Sequence, residues 1–249
     1  MIIYSFDCAI KNLGFCCLSV NDGWRTDVKN IVNTINAFYN SDTHDPITEM
    51  QNLLIKSDEI VNSVFEIKYM NIFDFAAEGS KNVKFTEVVK RLKYILFCLE
   101  SQLPKPDVVL IEYQMNANDK ARGISRYIEE YFLPIGGTDA TITAAFAAYP
   151  LNDADIPISL HKDTKIIMVN PSIKNAYKID PSEKGDYQTY IVKYNRAYDA
   201  NKAHTTYNFK YFLETRGLSH VIENVPNKLD DIADAFMQAY GWCKHNNLF

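Results

Sequence analysis

The 249-residue sequence contains no Cys-x-x-Cys pair, no His-Glu-x-x-His motif and no internal repeat. Its five cysteines lie mostly among apolar neighbours, which is typical of reduced thiols in a cytosolic or nuclear protein. The five histidines form no cluster. A zinc site built from Cys and His ligands is therefore not expected.

Long apolar runs are also missing. No stretch approaches the ~18 residues that span a bilayer, so we expect no membrane-spanning helix. We expect no signal peptide either, because Asp7 interrupts the apolar N-terminal segment and no basic leader precedes it. Hydrophobic residues make up 47% of the chain and aromatic residues 13%, a composition typical of a globular protein rather than a disordered one.

The chain lacks a surplus of basic residues, and its formal net charge is −5. Most nucleic-acid-binding domains are basic overall. Binding to nucleic acid is still compatible with this charge, because a local basic patch supplies the field that matters and carboxylates clustered at a metal site lower the total.

The apolar patterns that are present predict a mixed α/β domain. Strands are predicted at 2–8, 13–20, within 64–75, at 108–111 and within 165–172, and the "NDG" at 21–23 predicts a hairpin turn. Apolar spacings of three and four predict helices at 84–103, 121–132, 204–217 and 229–244. We therefore expect one domain over 1–249, with a mixed central sheet flanked by helices and an insertion at about 21–64.

Two carboxylates stand at the ends of apolar strands. Asp7 ends the first strand, and Glu112 ends the run Val108–Ile111, which has the composition of a central strand buried on both faces. Ligand sites in α/β sheets collect at this edge. If the two strands are neighbours, the acids face one crevice and either share a proton or bind a cation; otherwise each only marks a strand end.

The last predicted helix carries three more acids, Asp230, Asp231 and Asp234, on the side opposite its apolar face. Acids in a first turn stabilise a helix through its dipole, which explains Asp230 and Asp231 without any function. That explanation is weaker for Asp234, which lies further along the helix. A solvent-exposed acidic face is the alternative to a functional site.

Taken together, these acids form a workable ligand set for hard divalent cations, which prefer carboxylate oxygens. Two such ions about 4 Å apart activate a water and stabilise the leaving oxygen in phosphodiester hydrolysis. The pattern therefore indicates a metal-dependent reaction at a phosphate.

Four blocks of the sequence resemble, in order, those of RuvC-like Holliday junction resolvases. They are "SFDCAIKNLGFCCLSV" (5–20), "VVLIEYQ" (108–114), "VNPSIKNAY" (169–177) and "DDIADAF" (230–236). The resemblance is closest to the poxviral and mitochondrial branches, whose first block reads S-x-D-x-G-x-K-N-L. Ala9 stands where that block has Gly.

The resemblance implies a ribonuclease H-like fold and an intracellular homodimer that cuts four-way DNA junctions with Mg²⁺ or Mn²⁺. The compartment would be the host cytoplasm for a viral protein, and otherwise the cytosol, nucleus or mitochondrion. It also implies that Asp7, Glu112, Asp231 and Asp234 are the catalytic, metal-binding set. The poxviral branch adds a catalytic lysine just before the helix that precedes the catalytic helix. Lys202 has the matching place, and Lys174 is the alternative.

Basic side chains supply candidate contacts to DNA phosphates, which position a protein on DNA without reading sequence. The stretch at 178–202 is also rich in tyrosines, which either stack on unpaired bases or pack in a core. The candidates are Lys11, Lys120, Arg122, Arg126, Lys174, Lys193 and Arg196.

Two other classes of function share the predicted topology. Actin-like ATPases and sugar kinases begin with a similar hairpin and carry a phosphate loop resembling "IGGTDA" at 135–140, but they need two such domains. A non-catalytic nucleic-acid-binding domain of the same fold is the second alternative. It predicts that carboxylates are missing, whereas all four are present.

Overall fold

The computed structural model describes residues 1–9, 11–21, 23–27, 29–30, 33, 64–75, 84–114, 119–133, 163–176, 197–223, 225 and 229–248. The strands are β1 (Ile2–Cys8), β2 (Asn12–Val20), β3 (Phe65–Asp74), β4 (Val108–Glu112) and β5 (Lys165–Val169). The main helices are α1 (Phe85–Gln102), α2 (Asp119–Phe132), the short α3 (Ile173–Ala176), α4 (Ala197–Thr215) and α5 (Asp230–His245). None of the described helices has the length and apolar character of a membrane-spanning segment.

The strands form one mixed sheet in the order β3-β2-β1-β4-β5. Strand β2 is antiparallel to β1 and β3, whereas β4 is parallel to β1 and β5 is parallel to β4. This order, with only the second strand reversed, is that of the ribonuclease H-like fold. The predicted fold class is confirmed.

Most predicted elements agree with the structure, with two exceptions. The hairpin predicted at "NDG" is wrong, because residues 24–27 are helical and β3, the second partner of β2, begins only at Phe65. Helix α4 begins at 197 instead of 204. Most of the proposed insertion at 21–64 and the "IGGTDA" loop at 135–140 lie outside the described residues.

Helices cover both faces of the sheet, and the alternation of side chains along β1 decides what each face receives. Tyr4 and Phe6 belong to the core formed with α1 and α2. Ile3 belongs to the core formed with α4 and α5. Ser5 and Asp7 share the orientation of Ile3, so the carboxylate of Asp7 faces the α5 side.

Helix α5 is buried around nearly its whole circumference, with residues 231–241 all inaccessible or almost so. The alternative of a solvent-exposed acidic face is therefore wrong for Asp231 and Asp234, which are 3% and 8% exposed. The side of the helix opposite its apolar stripe is covered as well, because α5 packs on β1 and β2 and is flanked by α3 and α4.

Two contacts fix α5 along the sheet. A Cβ atom at Gly14 of β2 would lie 2.2 Å from the backbone oxygen of Asp231, so only glycine permits this approach. Farther along the helix, the buried amide of Gln238 donates to Ser5 Oγ at 3.1 Å and to the backbone oxygen of Phe6 at 3.3 Å. Together these contacts place the acids of α5 beside Asp7.

Gly14→Ala is expected to lower the free energy of unfolding by ~1–3 kcal/mol, because the added methyl group must push α5 away from the sheet. Chemical denaturation followed by circular dichroism measures the change. Gly23→Ala is the matched control, since its added Cβ meets only the end of the Asn21 side chain, at 3.2 Å. Equal denaturation midpoints for Gly14→Ala and the parent protein would contradict this packing.

Candidate active site

Asp7 and Glu112 lie side by side at one edge of the sheet. Phe6 of β1 is in register with Ile111 of the parallel strand β4, so the next residue on each strand brings these two acids together. Both strands are central and buried, because their apolar residues face helices on either side. The expected convergence of the two strand carboxylates is thus present.

The ammonium group of Lys174 lies at the centre of the carboxylate cluster. Its Nζ atom is 2.9 Å from Asp7 Oδ1, 3.0 Å from Glu112 Oε1 and 3.2 Å from Asp234 Oδ2. Only 7% of the Lys174 side chain is exposed. Three elements, β1, β4 and α5, each contribute one acid to this contact. We call Asp7, Glu112, Asp234 and Lys174 the carboxylate cluster.

Negative charge in the carboxylate cluster exceeds what one ammonium can neutralise. Burial, together with a hydrogen bond to Asp7 and the charge of Asp7, raises the pKa of Glu112 to about 8. Burial likewise raises the pKa of Asp234 to about 6. At neutral pH, Glu112 therefore retains a proton, which it shares with Asp7 through their hydrogen bond.

Asp7 and Lys174 are the ionised pair of the cluster. Burial alone would raise the pKa of Asp7, but the charge of Lys174 and the hydrogen bond from Glu112 lower it below its usual value. Burial alone would lower the pKa of Lys174, but the charges of Asp7, Asp234 and Glu112 raise it above its usual value. The lysine is accordingly a fixed positive charge.

Side-chain amides orient two of the acids. Asn12 Nδ2 donates to Asp231 Oδ2 at 3.0 Å, and Gln114 Nε2 donates to Glu112 Oε2 at 3.0 Å. Asp231, one turn before Asp234 on α5, is thereby tied to the first residue of β2. Each amide thus holds one oxygen of its carboxylate, and Glu112 Oε1 lies 3.0 Å from Lys174 Nζ.

Lys202 and Lys174, the two candidate catalytic lysines, occupy different places. Lys202 lies inside α4 rather than before it, and its Nζ atom is 2.7 Å from Asp230 Oδ2. Its charge acts to lower the pKa of Asp7 and of Asp234. The matching place predicted for Lys202 is therefore corrected: of the two, Lys174 contacts the predicted acids directly.

Lys174, which is also among the predicted DNA contacts, is buried beside the acids, and its contact with DNA stays a prediction. Lys11, in the turn between β1 and β2, is exposed, as are Lys120 and Arg126 of α2. Arg122 is half-buried and pairs with Asp119. Lys193 and Arg196 lie outside the described residues.

Ala9, where the resembled block has Gly, needs no glycine. In the described chain a positive φ occurs at no residue other than Asn247 and Gly217. The backbone N–H of Ala9 donates to the oxygen of Asn12 at 3.2 Å, which closes the turn after Asp7. An alanine therefore fits the turn without strain.

Within the described ranges, no three His, Cys, Asp or Glu side chains stand in a ready metal-coordinating arrangement. Oxygens of Asp7, Glu112 and Asp234 instead surround the ammonium nitrogen of Lys174 at distances near 3 Å. Their chemistry nevertheless suits a hard cation, because the donors are carboxylate oxygens carrying excess negative charge.

The sequence matches no protein-family model and no curated protein. Among solved structures, the fowlpox virus Holliday junction resolvase is 15% identical over 99% of both chains, with a TM-score of 0.49. Thermus thermophilus RuvC in complex with Holliday junction substrate is 12% identical over 100% of this chain and 96% of that chain, with a TM-score of 0.44. These neighbours match the resemblance of the four blocks.

Three site features were missed in the sequence. Asn12 and Gln114, which orient acids, stand within the quoted blocks but carry no spacing rule that marks them. Gln238 is one turn beyond Asp234 on α5 and is fully buried. The sequence does not predict this burial, because a glutamine in a helix is most often exposed. Contacts between elements, rather than local patterns, give these residues their roles.

Proposed function

We propose that the protein is a metal-dependent endonuclease that cuts four-way DNA junctions by phosphodiester hydrolysis. The observation that supports this most is the meeting of three acids from three separate elements, Asp7, Glu112 and Asp234, around one buried positive charge. Burying that many acids is costly unless a cation is bound. The sequence blocks that resemble junction resolvases contain all three acids.

Asp7, Glu112, Asp231 and Asp234 are the residues that would hold Mg²⁺ or Mn²⁺. Such ions supply activation of the attacking water and stabilisation of the leaving oxygen. Burial, with the charge of Asp7, raises the pKa of Glu112 and Asp234, and buried acids crowded in this way fit divalent cations. The resemblance of the first sequence block to junction resolvases implies that Asp7 would be a ligand shared by two ions.

The protein's own groups then orient the reactants. Asn12 and Gln114 hold Asp231 and Glu112 by one oxygen each, which fixes the planes of these carboxylates. Lys174 keeps a permanent positive charge beside the acids and is the closest described cation for a phosphate bound there. The close packing of α5 on Gly14 keeps these distances fixed.

DNA would approach the edge of the sheet where these acids lie. Lys11 is exposed in the turn that follows Asp7, and Lys120 and Arg126 are exposed on α2, the helix that follows Glu112. Contacts from such residues to phosphates supply much of the affinity of a nuclease for DNA. Branch selectivity would come from where these contacts lie relative to the cluster.

Removal of divalent cations is expected to abolish cleavage. A labelled mobile four-way junction and a linear duplex of the same sequence are incubated with the protein and Mg²⁺ or Mn²⁺, with and without excess EDTA. Nicks are expected in the junction alone and in the absence of EDTA, and they should return when Mg²⁺ is restored. Undiminished cleavage in EDTA would refute metal dependence, and equal cutting of the duplex would refute junction selectivity.

We also expect a homodimer, because symmetric cutting of a four-way junction needs two active sites related by a two-fold axis. Light scattering coupled to size-exclusion chromatography should give twice the chain mass of 28.6 kDa, free or bound to junction DNA. A mass of one chain under both conditions would count against paired incision.

A further inference from the structure

The ammonium of Lys174 contacts three acids at once and donates a hydrogen bond to Asp7 Oδ1. A lysine ammonium has three N–H groups, and here three carboxylates lie within 3.2 Å of its nitrogen. Because the side chain is also buried, little of this interaction is screened by solvent. The same oxygens of Asp7, Glu112 and Asp234 are those that would bind a divalent cation in the proposed function.

We propose that Lys174 and the divalent cation compete for these carboxylates, so that Lys174 sets the metal affinity of the site. The inference rests on the proposed function and deepens it by naming the residue that determines how much Mg²⁺ or Mn²⁺ is needed. The ammonium serves as an internal counter-cation, and metal binding requires it to move away from at least part of the cluster.

Competition follows from distance and charge. Asp7 Oδ1 lies 2.9 Å from the ammonium, whereas Mg²⁺ sits about 2.1 Å from a carboxylate oxygen. A dication and an ammonium bound to the same oxygens would be only a few ångströms apart, and like charges so close inside a protein repel strongly. The dication and the ammonium therefore cannot both occupy the centre of the carboxylate cluster.

The local structure lets the ammonium move while the backbone stays. A Cβ at Gly241 of α5 would lie 2.5 Å from the backbone oxygen of Ile173, so α3 sits directly against α5. Thr205 of α4 donates a hydrogen bond to Asn175 at 3.2 Å on the other side of this short helix. With its backbone held, Lys174 can withdraw only its flexible four-carbon stem. The retracted ammonium would still lie beside the cluster.

A lysine that only contacts the DNA phosphate, or only stabilises the fold, gives a different expectation. Its removal would slow cleavage or destabilise the protein but would leave metal affinity unchanged or weaker. Competition alone predicts that removing Lys174 makes metal binding tighter. The sign of the change in affinity therefore separates these roles.

The test is a titration of the DNA-free protein with Mn²⁺, followed by electron paramagnetic resonance of the free ion. Lys174→Met is expected to bind Mn²⁺ roughly tenfold or more tightly than the parent, because the competing charge is gone. Lys202→Met is the matched control, since Lys202 is a nearby lysine that pairs with Asp230 outside the cluster. It should change the affinity by no more than roughly threefold, which bounds the effect of net charge alone.

A second measurement covers the case in which the Lys174→Met protein does not fold without metal, that is, in EDTA before the titration. In the parent protein labelled with ¹⁵N-lysine, the buried Lys174 ammonium should give a slowly exchanging NMR signal that is lost or shifted as Mg²⁺ is added. A signal unchanged at saturating Mg²⁺, or affinity for Mn²⁺ that is unchanged or weaker in a folded Lys174→Met protein, would overturn the competition. If competition is observed but the parent cuts no junction, the proposed function fails and the competition stands.

Discussion

Asp7→Asn is expected to slow single-turnover cleavage of a four-way junction by about a thousandfold, a loss of ~4 kcal/mol of transition-state stabilisation. Asp7 is the acid that contacts both Lys174 and Glu112, and it stays ionised where Glu112 holds a proton. A neutral amide at this position removes the charge that would bind the cation most strongly. It keeps the shape of the side chain, so packing around β1 is preserved.

Junction binding and folding should survive this change. The pKa of Asp7 is lowered in the folded chain, so its ionised carboxylate contributes stability beside Lys174, and the thermal midpoint of the folded Asp7→Asn protein should fall. Gel-shift titration should give equal or tighter binding. Asp107→Asn is the control: this exposed acid accepts a hydrogen bond from the backbone of Ile2, at the opposite end of β1. An Asp7→Asn protein that cuts at the rate of the control would remove Asp7 from catalysis.

The sheet and the strand acids were predictable because their signals are local. The run at 108–111 is continuously apolar and is followed by Glu112, and the mostly apolar run at 2–6 is followed by Asp7; this is the pattern of strands buried on both faces. Parallel strands present their carboxyl ends at one edge, so the neighbourhood of Asp7 and Glu112 follows once β1 and β4 are adjacent. The sequence did not show that adjacency. It emerges from the sheet order.

The surroundings of α5 were not predictable to the same degree. An apolar stripe implies one buried face and one exposed face only for a helix packed on one side. Here β1, β2, α3 and α4 cover the helix from several directions. Burial of its acids depends on the close approach at Gly14, and a sequence contains no sign of which backbone a glycine will meet.

The choice between Lys174 and Lys202 also depended on contacts between distant elements. Lys174 follows Ile173 and Lys202 follows Asn201, and neither lysine has a spacing that relates it to Asp7. Lys174 reaches the cluster because α3 is seated against Gly241, and Lys202 is turned toward Asp230. Residue type and position along the chain therefore do not show which of the two lysines lies beside Asp7.

Asp234→Asn is expected to slow junction cleavage by two to three orders of magnitude, equivalent to ~3–4 kcal/mol. Asp234 is the acid of α5 that contacts Lys174, and it is the member of the proposed metal-binding set least explained by helix stability. The amide keeps the volume of the side chain while removing the negative charge. The rate is measured under single-turnover conditions at saturating Mg²⁺, alongside a gel-shift titration of the same preparation.

The stability of the Asp234→Asn protein gives an independent check of the site. Burial raises the pKa of Asp234 to about 6, which means that the ionised carboxylate is less stable in the folded chain than in the unfolded one. A neutral amide therefore should not lower the free energy of unfolding at pH 7. Asp230→Asn is the matched control on the same helix, because Asp230 pairs with Lys202 and not with Lys174. Equal cleavage by the two variants would place Asp234 outside the active site. The expected result is that Asp234→Asn folds and binds the junction but cuts slowly, whereas Asp230→Asn cuts at the parent rate. Activity would then depend on Asp234, the acid of the two that belongs to the carboxylate cluster.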